Sequence, residues 1–202
     1  MIGIIFIIVV IVYAIWEYVS TPDIAPLKTL PGRPDPMVRT MEDFIRVVKF
    51  HELVKPCSEH DIIALEKSMD IRLPATYKKF LLSMGHKAGN FWVGTEGFYH
   101  FLFRAKVSTE ELIEENSLSP LPDDAFPFWM HQGYMAAYFR LSDGDDPPVY
   151  LYSEGPVATE GFMLSHNTLT DFFLWELKLH YHQYGIILPE HLEKPLSQAN
   201  QI

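Results

Sequence analysis

Residues 61–82 read DIIALEKSMDIRLPATYKKFLL, and this stretch decides the fold because it encodes two amphipathic helices joined by a short corner. The first helix is predicted to begin at Ser58, since Asp61 follows at the spacing of a capping box. The second is predicted to begin at Pro74, which suits a first helical turn, and to end at Gly85. Each helix carries its apolar residues on one face: Ile62, Leu65 and Met69 in the first, and Tyr77, Phe80, Leu81 and Met84 in the second.

The segments on either side of this helix pair have different periods. Upstream, Thr40 and Asp43 repeat the capping-box spacing, which predicts a helix that ends before Pro56. Downstream, from Phe91 to Leu164, short aromatic and β-branched runs with a period near two predict antiparallel strands. These strands are expected at Phe91–Val93, Tyr99–Phe103, Tyr134–Leu141 and Val149–Tyr152.

Three further elements complete the prediction. The acidic stretch Ser108–Asn116 has a capping-box spacing and predicts a short, solvated helix. Ser142–Pro148 predicts the turn between the last two strands, because Gly144 tolerates a positive φ and prolines do not continue a ladder. A closing helix is expected from Thr168, capped by Asp171. The sequence therefore predicts an α+β fold in which an antiparallel β-sheet packs against helices.

The order of these elements resembles the SUKH superfamily, also called the Smi/Knr family. The resemblance rests on Ile62–Glu66 and Leu73–Leu81, followed by Phe126–Phe128, Pro148–Tyr152 and Thr168–Phe173, and it covers roughly residues 40–180. The chain departs from the family pattern at Gly85–Gly89, where many members have Gly-Gly or Asn-Gly. The resemblance implies an α+β domain without a known active site. Many bacterial members are immunity proteins that bind and neutralise toxins, and fungal members are scaffolds in cell-wall signalling.

The N-terminal segment predicts a membrane anchor. Residues 2–16 read IGIIFIIVVIVYAIW without a charge, and about nineteen residues of helix roughly match a hydrocarbon core ~30 Å thick. The basic residues Lys28, Arg33 and Arg39 all follow this segment, which favours a single-pass protein with its C-terminal domain in the cytoplasm. The single cysteine, Cys57, agrees with a reducing compartment. A buried core helix is the alternative for this segment.

Four regions follow from these patterns. Residues 1–19 are predicted to form a transmembrane helix, which inserts through residues 2–19. Residues 20–39 contain repeated prolines and are predicted to be a linker. Residues 40–188 are predicted to form the SUKH-like α+β domain, and residues 189–202 a flexible tail.

The charge of the chain is unevenly distributed. The formal net charge is −10, and residues 105–202 carry 15 of the 26 acidic side chains but only 4 of the 16 basic ones. An acidic surface repels phosphate backbones and attracts basic proteins, so we expect no nucleic-acid partner. Simple solubility is an equally open explanation of this charge.

A protein-binding surface is the predicted functional site. An exposed Trp129 or Tyr134 ringed by acids would anchor a basic protein partner, in particular a basic toxin domain. The candidate partner-binding residues are Asp123, Asp124, Trp129, Tyr134, Asp143, Asp145, Asp146 and Glu154. The acidic residues alone are also explained by solvated turns.

No catalytic, metal or cofactor site is predicted. The nine histidines include His180 and His182, but side chains two positions apart on a helix point in different directions and do not chelate one ion. The chain has no Gly-x-Ser-x-Gly elbow, phosphate-binding glycine loop or dinucleotide fingerprint. Three functions remain open: a membrane-anchored immunity-type protein, a membrane-localised scaffold or regulator, and an enzyme that uses the acidic residues.

Overall fold

The computed structural model describes residues 35–154 and 161–193. The predicted transmembrane helix of residues 1–19 lies outside these residues, as do positions 20–34 of the predicted linker. No helix in the described ranges is both long and apolar enough to cross a membrane.

The first three helices begin where the sequence predicts. Helix α1 (Met41–His51) and helix α2 (Glu59–Met69) each start with a complete capping box. In α1 the Thr40 hydroxyl accepts from the backbone N–H of Asp43 at 3.1 Å, and the Asp43 carboxylate accepts from the backbone N–H of Thr40 at 3.1 Å. Helix α3 (Ala75–Met84) follows Pro74, which is its N-cap. These local hydrogen bonds satisfy backbone donors that a helix N-terminus leaves unpaired.

A five-stranded antiparallel sheet forms the second layer, which confirms the predicted α+β class. Its strands follow one another in space in chain order, with a register shift between Pro127 and Trp129. They are β3 (Thr95–Glu96), β4 (Ala125–His131), β5 (Met135–Arg140), β6 (Val149–Ser153) and β7 (Met163–His166). The predicted turn at Ser142–Pro148 connects β5 and β6. A separate two-stranded sheet pairs β1 (Val54–Lys55) with β2 (Lys87–Ala88).

Two predicted strands are wrong. Phe91–Val93 forms a turn in which Trp92 has a φ of +63°, a left-handed conformation that is incompatible with a strand. Tyr99–Phe103 is the first part of helix α4 (Tyr99–Glu115), whose C-terminal half includes most of the predicted short helix. Three aromatic residues at alternate positions imitate a strand, but Phe101, Ala105 and Leu112 recur at helical spacing and form one buried cluster with Met130 and Ala136 of the sheet.

The sheet is covered on both faces. One face packs against α1, α3 and the closing helix α5 (Leu169–Tyr181), whose N-cap is Thr168 as predicted. Ring centroids lie 5.3 Å apart between Tyr77 of α3 and Phe139 of β5, and 5.1 Å apart between Phe44 of α1 and Phe173 of α5. Helix α4 covers part of the other face, where it forms a smaller apolar cluster of Phe101, Ala105, Leu112, Met130, Ala136 and Tyr152.

The packed unit extends past positions 40 and 188 at both ends. Val38 is fully buried, and its backbone N–H donates to the carbonyl of Ile187 at 3.1 Å. A short helix, α6 (Glu190–Glu193), follows, and its Leu192 is also buried. The chain segments that enter and leave the domain therefore pack beside each other.

Candidate protein-binding groove

The structure separates seven of the eight candidate residues, all except Trp129, into two groups at opposite ends of the sheet. Asp123, Asp124, Asp143, Asp145 and Asp146 lie at one end, beside the start of β4, the end of β5 and the start of β6. Tyr134 and Glu154 lie at the other end, where β4 turns into β5 and β6 ends. The predicted site is therefore not a single surface.

Two of the five aspartates are occupied by contacts within the domain. The Asp124 carboxylate accepts from the Ser142 hydroxyl and from Nε of Arg140 at 2.9 Å, and these bonds lower the pKa of Asp124. The Asp146 carboxylate accepts from the backbone N–H and the hydroxyl of Thr170 at 2.9 and 2.7 Å. Asp146 thus holds the β5–β6 turn against the first turn of α5.

The other three aspartates at this end present exposed side chains. Asp123, Asp143 and Asp145 lie in turns, and the carbonyl of Asp145 accepts from the backbone N–H of Thr76 at 3.0 Å. Their carboxylates reach solvent. This end of the sheet therefore presents negative charge, and none of the three aspartates lines the groove at the other end.

Trp129 does not form the exposed anchor that the sequence prediction allowed. Its side chain is only 3% exposed and packs edge-on against Phe172, with ring centroids 5.8 Å apart. The register shift after Pro127 turns Trp129 toward the large core, and Met130 points to the opposite face. The indole N–H of Trp129 is buried and has no hydrogen-bond partner among the described residues.

Tyr134 and Glu154 form a pair at the other end of the sheet. The Tyr134 side chain is 37% exposed, and its carbonyl accepts from the backbone N–H of Glu154 at 3.0 Å. The Glu154 carboxylate accepts from the side-chain amide of Asn116, just after α4. The ring of Tyr134 also contacts the ring of His131 edge-on at 5.7 Å. An exposed aromatic ring and an acidic side chain are therefore held side by side.

An open groove of about 610 Å³ lies at this end of the sheet, between α4 and the β3–β4 edge. Its charged lining consists of three carboxylates and one guanidinium, those of Glu96, Glu111, Glu115 and Arg104. Arg104 forms an ion pair with Glu96, so two carboxylates remain to give the groove a net negative charge. Gln132 and Gly133, which precede Tyr134, line the groove at its sheet side.

The sequence contains a pattern that identifies one wall of this groove. The pattern is missed when Tyr99–Phe103 is assigned to a strand. Arg104, Ser108, Glu111 and Glu115 recur at intervals of four, three and four positions, which places them on one face of a helix. Once α4 is recognised as one helix from Tyr99, this spacing identifies a polar stripe. The contribution of Glu96 from β3 depends on tertiary packing, and the sequence pattern does not reveal it.

The chain matches a known protein family. The sequence model described as the SMI1 / KNR4 family (SUKH-1) matches residues 56–175, more than half of the chain. The match runs from the residue before Cys57 into α5, and it includes the five-stranded sheet and every residue that lines the groove. No curated protein matches the sequence.

Proposed function

Since the chain belongs to the SMI1/KNR4 family (SUKH-1), we propose that it is a protein-binding domain of the immunity type, which neutralises a toxin by binding it. The partner that we propose is a basic toxin domain. The acidic groove between α4 and the β3–β4 edge is the observation that supports this proposal.

The groove has the features that favour association with a basic protein. Its excess of carboxylates attracts a positively charged surface at long range and raises the association rate, most strongly at low ionic strength. Tyr134 stands beside the groove with its ring partly exposed, and tyrosine is one of the residues that most often anchor interfaces. Charge and an aromatic anchor thus occur together at this end of the sheet.

We propose that the domain acts by binding and not by catalysis. The titratable groups that line the groove are Glu96, Glu111, Glu115 and Arg104, and the groove lining includes no histidine, cysteine or lysine. Among the described residues, the carboxyl groups with a resolved shift have a lowered pKa, as at Asp124, where hydrogen bonds from Ser142 and Arg140 keep the carboxylate charged. A general acid at neutral pH requires the opposite shift.

We further propose that residues 2–19 anchor the protein in a membrane with its domain on the cytoplasmic side. The uncharged run at residues 2–16 and the basic residues that follow it support this orientation. A reporter protein that is active only in the cytoplasm, fused after Ile202, should be active in cells. The fusion protein should be recovered in the membrane fraction. Recovery of the fusion protein in the soluble fraction would contradict the anchor.

The function is tested by titrating the full-length chain, kept in detergent micelles, against the toxin domain encoded beside its gene. We expect a reversible stoichiometric complex that inhibits the toxin and whose affinity falls as salt concentration rises. Absence of a complex, or turnover of the toxin by the protein, contradicts the proposal. Binding without loss of toxin activity would instead favour a scaffold function.

A further inference from the structure

Three side chains with metal-binding atoms converge where the N-terminus of α2 meets the C-terminus of α3. Cys57, Asp61 and His86 each offer one such atom, and these three atoms lie within 4.8 Å of one another. The cluster lies apart from the groove, and none of its residues lines the groove. Their sequence spacing matches no common ligand motif, because His86 comes from the turn after α3.

Backbone hydrogen bonds fix the two ends of this cluster. The N–H of Cys57 donates to the carbonyl of Leu81 at 2.9 Å, and the N–H of His86 donates to the carbonyl of Lys55 at 2.9 Å. Gly85 leaves room for the thiol, since a Cβ atom at this position would lie 2.6 Å from Sγ of Cys57. The three side chains are therefore positioned by the fold and not by chance contacts of flexible loops.

The histidine has one nitrogen in use and one without a partner. Nε2 of His86 lies 3.3 Å from a carboxylate oxygen of Asp61. Nδ1 of His86 is buried and has no hydrogen-bond partner within the described part of the chain. Since Nε2 is the nitrogen that faces Asp61, Nε2 and not Nδ1 is the atom of His86 that could bind an ion together with the carboxylate.

The charges around the cluster suit a cation. Oδ2 of Asp61, the oxygen nearest to His86, also accepts from the backbone N–H and the hydroxyl of Ser58 at 2.8 Å, so the capping box of α2 fixes the orientation of the carboxylate. The positive end of α2 lies on one side, but the negative end of α3 lies on the other, so the two helix dipoles offset each other. The Asp61 carboxylate therefore gives the cluster a net negative charge.

We propose that Cys57, Asp61 and His86 form a binding site for a divalent transition-metal ion, of which Zn²⁺ fits this ligand set best. Thiolate, imidazole and carboxylate are the three ligand types that Zn²⁺ takes in proteins, and Ca²⁺ or Mg²⁺ would avoid the sulfur atom. When the ion binds, a bond forms between the metal and Sγ, and the thiol proton is released to solvent. Three protein ligands leave a fourth position for water or for a side chain of a partner. The ion would link the start of α2 to the end of α3.

The test uses the full-length chain, purified in detergent without a histidine tag and titrated with Co²⁺ as a spectroscopic substitute for Zn²⁺. We expect one equivalent to bind with visible bands of low-coordinate Co²⁺ and a near-ultraviolet thiolate charge-transfer band. Because Cys57 is the only cysteine, that band identifies its thiolate without any variant. Added Zn²⁺ should displace the Co²⁺ and abolish both signals.

Matched variants then distinguish the metal ligands from nearby residues that do not bind the ion. Cys57→Ala should remove the charge-transfer band, and His86→Gln should weaken Zn²⁺ binding at least tenfold. His60→Gln, an exposed change on α2, should leave both unchanged. A wild-type protein that gives neither band refutes the site and leaves the Asp61–His86 contact as a structural ion pair. Binding that survives both ligand changes in folded protein also refutes it.

Discussion

His166, at the end of β7, is a buried histidine that should make the stability of the domain depend on pH. Its ring packs edge-on against Phe172, with ring centroids 5.5 Å apart, and burial lowers its pKa from 6.5 to about 4 against the opposing charge of Asp171. Between these pH values the unfolded chain binds a proton that the folded chain does not. The free energy of unfolding is therefore highest above pH 6.5 and falls by up to about 1.4 kcal/mol per pH unit toward pH 4.

Replacing the histidine tests this origin of the acid sensitivity. His166→Gln should flatten the decline between pH 6.5 and 4, measured by urea unfolding at a series of pH values. The exposed His60→Gln should retain the wild-type slope. An unchanged slope in the His166 variant would assign the acid sensitivity to other groups.

Trp92 and Glu176 form a buried hydrogen bond that the sequence pattern does not reveal. The indole N–H of Trp92 donates to the Glu176 carboxylate at 2.7 Å, across 84 positions of the chain. Both side chains are nearly inaccessible, and Trp92 adopts a positive φ to reach this partner. Residues 91–93 are predicted as a strand because they form a short run of aromatic and β-branched residues, and this local pattern contains no information about a contact 84 positions away.

We expect the acceptor at position 176 to be more important than its charge. Glu176→Gln keeps an oxygen for the indole N–H, whereas Glu176→Leu leaves that donor buried and unpaired. The Leu variant should be less stable than the Gln variant by about 1–3 kcal/mol, measured by denaturant unfolding. Equal stabilities of the two variants would show that water or another acceptor replaces the carboxylate.

At the scale of the element, the sequence predicts helix starts better than helix extents. Thr40, Ser58 and Thr168 are N-caps as predicted, since a cap depends on residues three positions apart. Helix α4 was predicted only from Ser108, because its first residue follows Phe98, which makes no side-chain cap. Without a cap signal, the alternating aromatic residues of Tyr99–Phe103 dominated the pattern.

The capping box of α1 should contribute measurably to stability. Thr40→Ala removes the oxygen that accepts from the backbone N–H of Asp43, and we expect a loss of about 1 kcal/mol. Thr40→Ser retains this oxygen and should lose much less. Thermal or urea unfolding of the three proteins checks the order, and an Ala variant as stable as wild type would contradict it.

At the scale of the whole molecule, the α+β class was predictable but the position of the groove was not. The fold class follows from apolar residues at helical spacing before Gly85 and at strand spacing after Met135. Both patterns depend only on neighbouring positions in the sequence. The groove depends on α4 lying across the outer face of the sheet, where Leu112 meets Met130. That contact places the acidic residues of α4 beside Tyr134. Residue type alone identifies Tyr134 and Glu154 as candidates, whereas Glu111 and Glu115 become candidates only once α4 is placed across the sheet.

The two acidic ends of the sheet give a direct test of where a basic partner binds. Glu111→Lys with Glu115→Lys reverses charge in the groove, and Asp143→Lys with Asp145→Lys reverses charge in the β5–β6 turn. Both double variants change the net charge by the same amount, and all four side chains are exposed. A difference between them therefore reports the location of the charge and not its total.

We expect the groove variant to slow association with the toxin domain on the order of tenfold at low salt, because it replaces attraction with repulsion where the partner docks. The turn variant should slow association much less, and the difference between the two association rates should shrink as salt screens both surfaces. Stopped-flow association at several salt concentrations measures these rates. If the turn variant slows association more than the groove variant does, the aspartates between β5 and β6 form the interface and the groove does not. Total charge does not explain such a result, because it is the same in both variants.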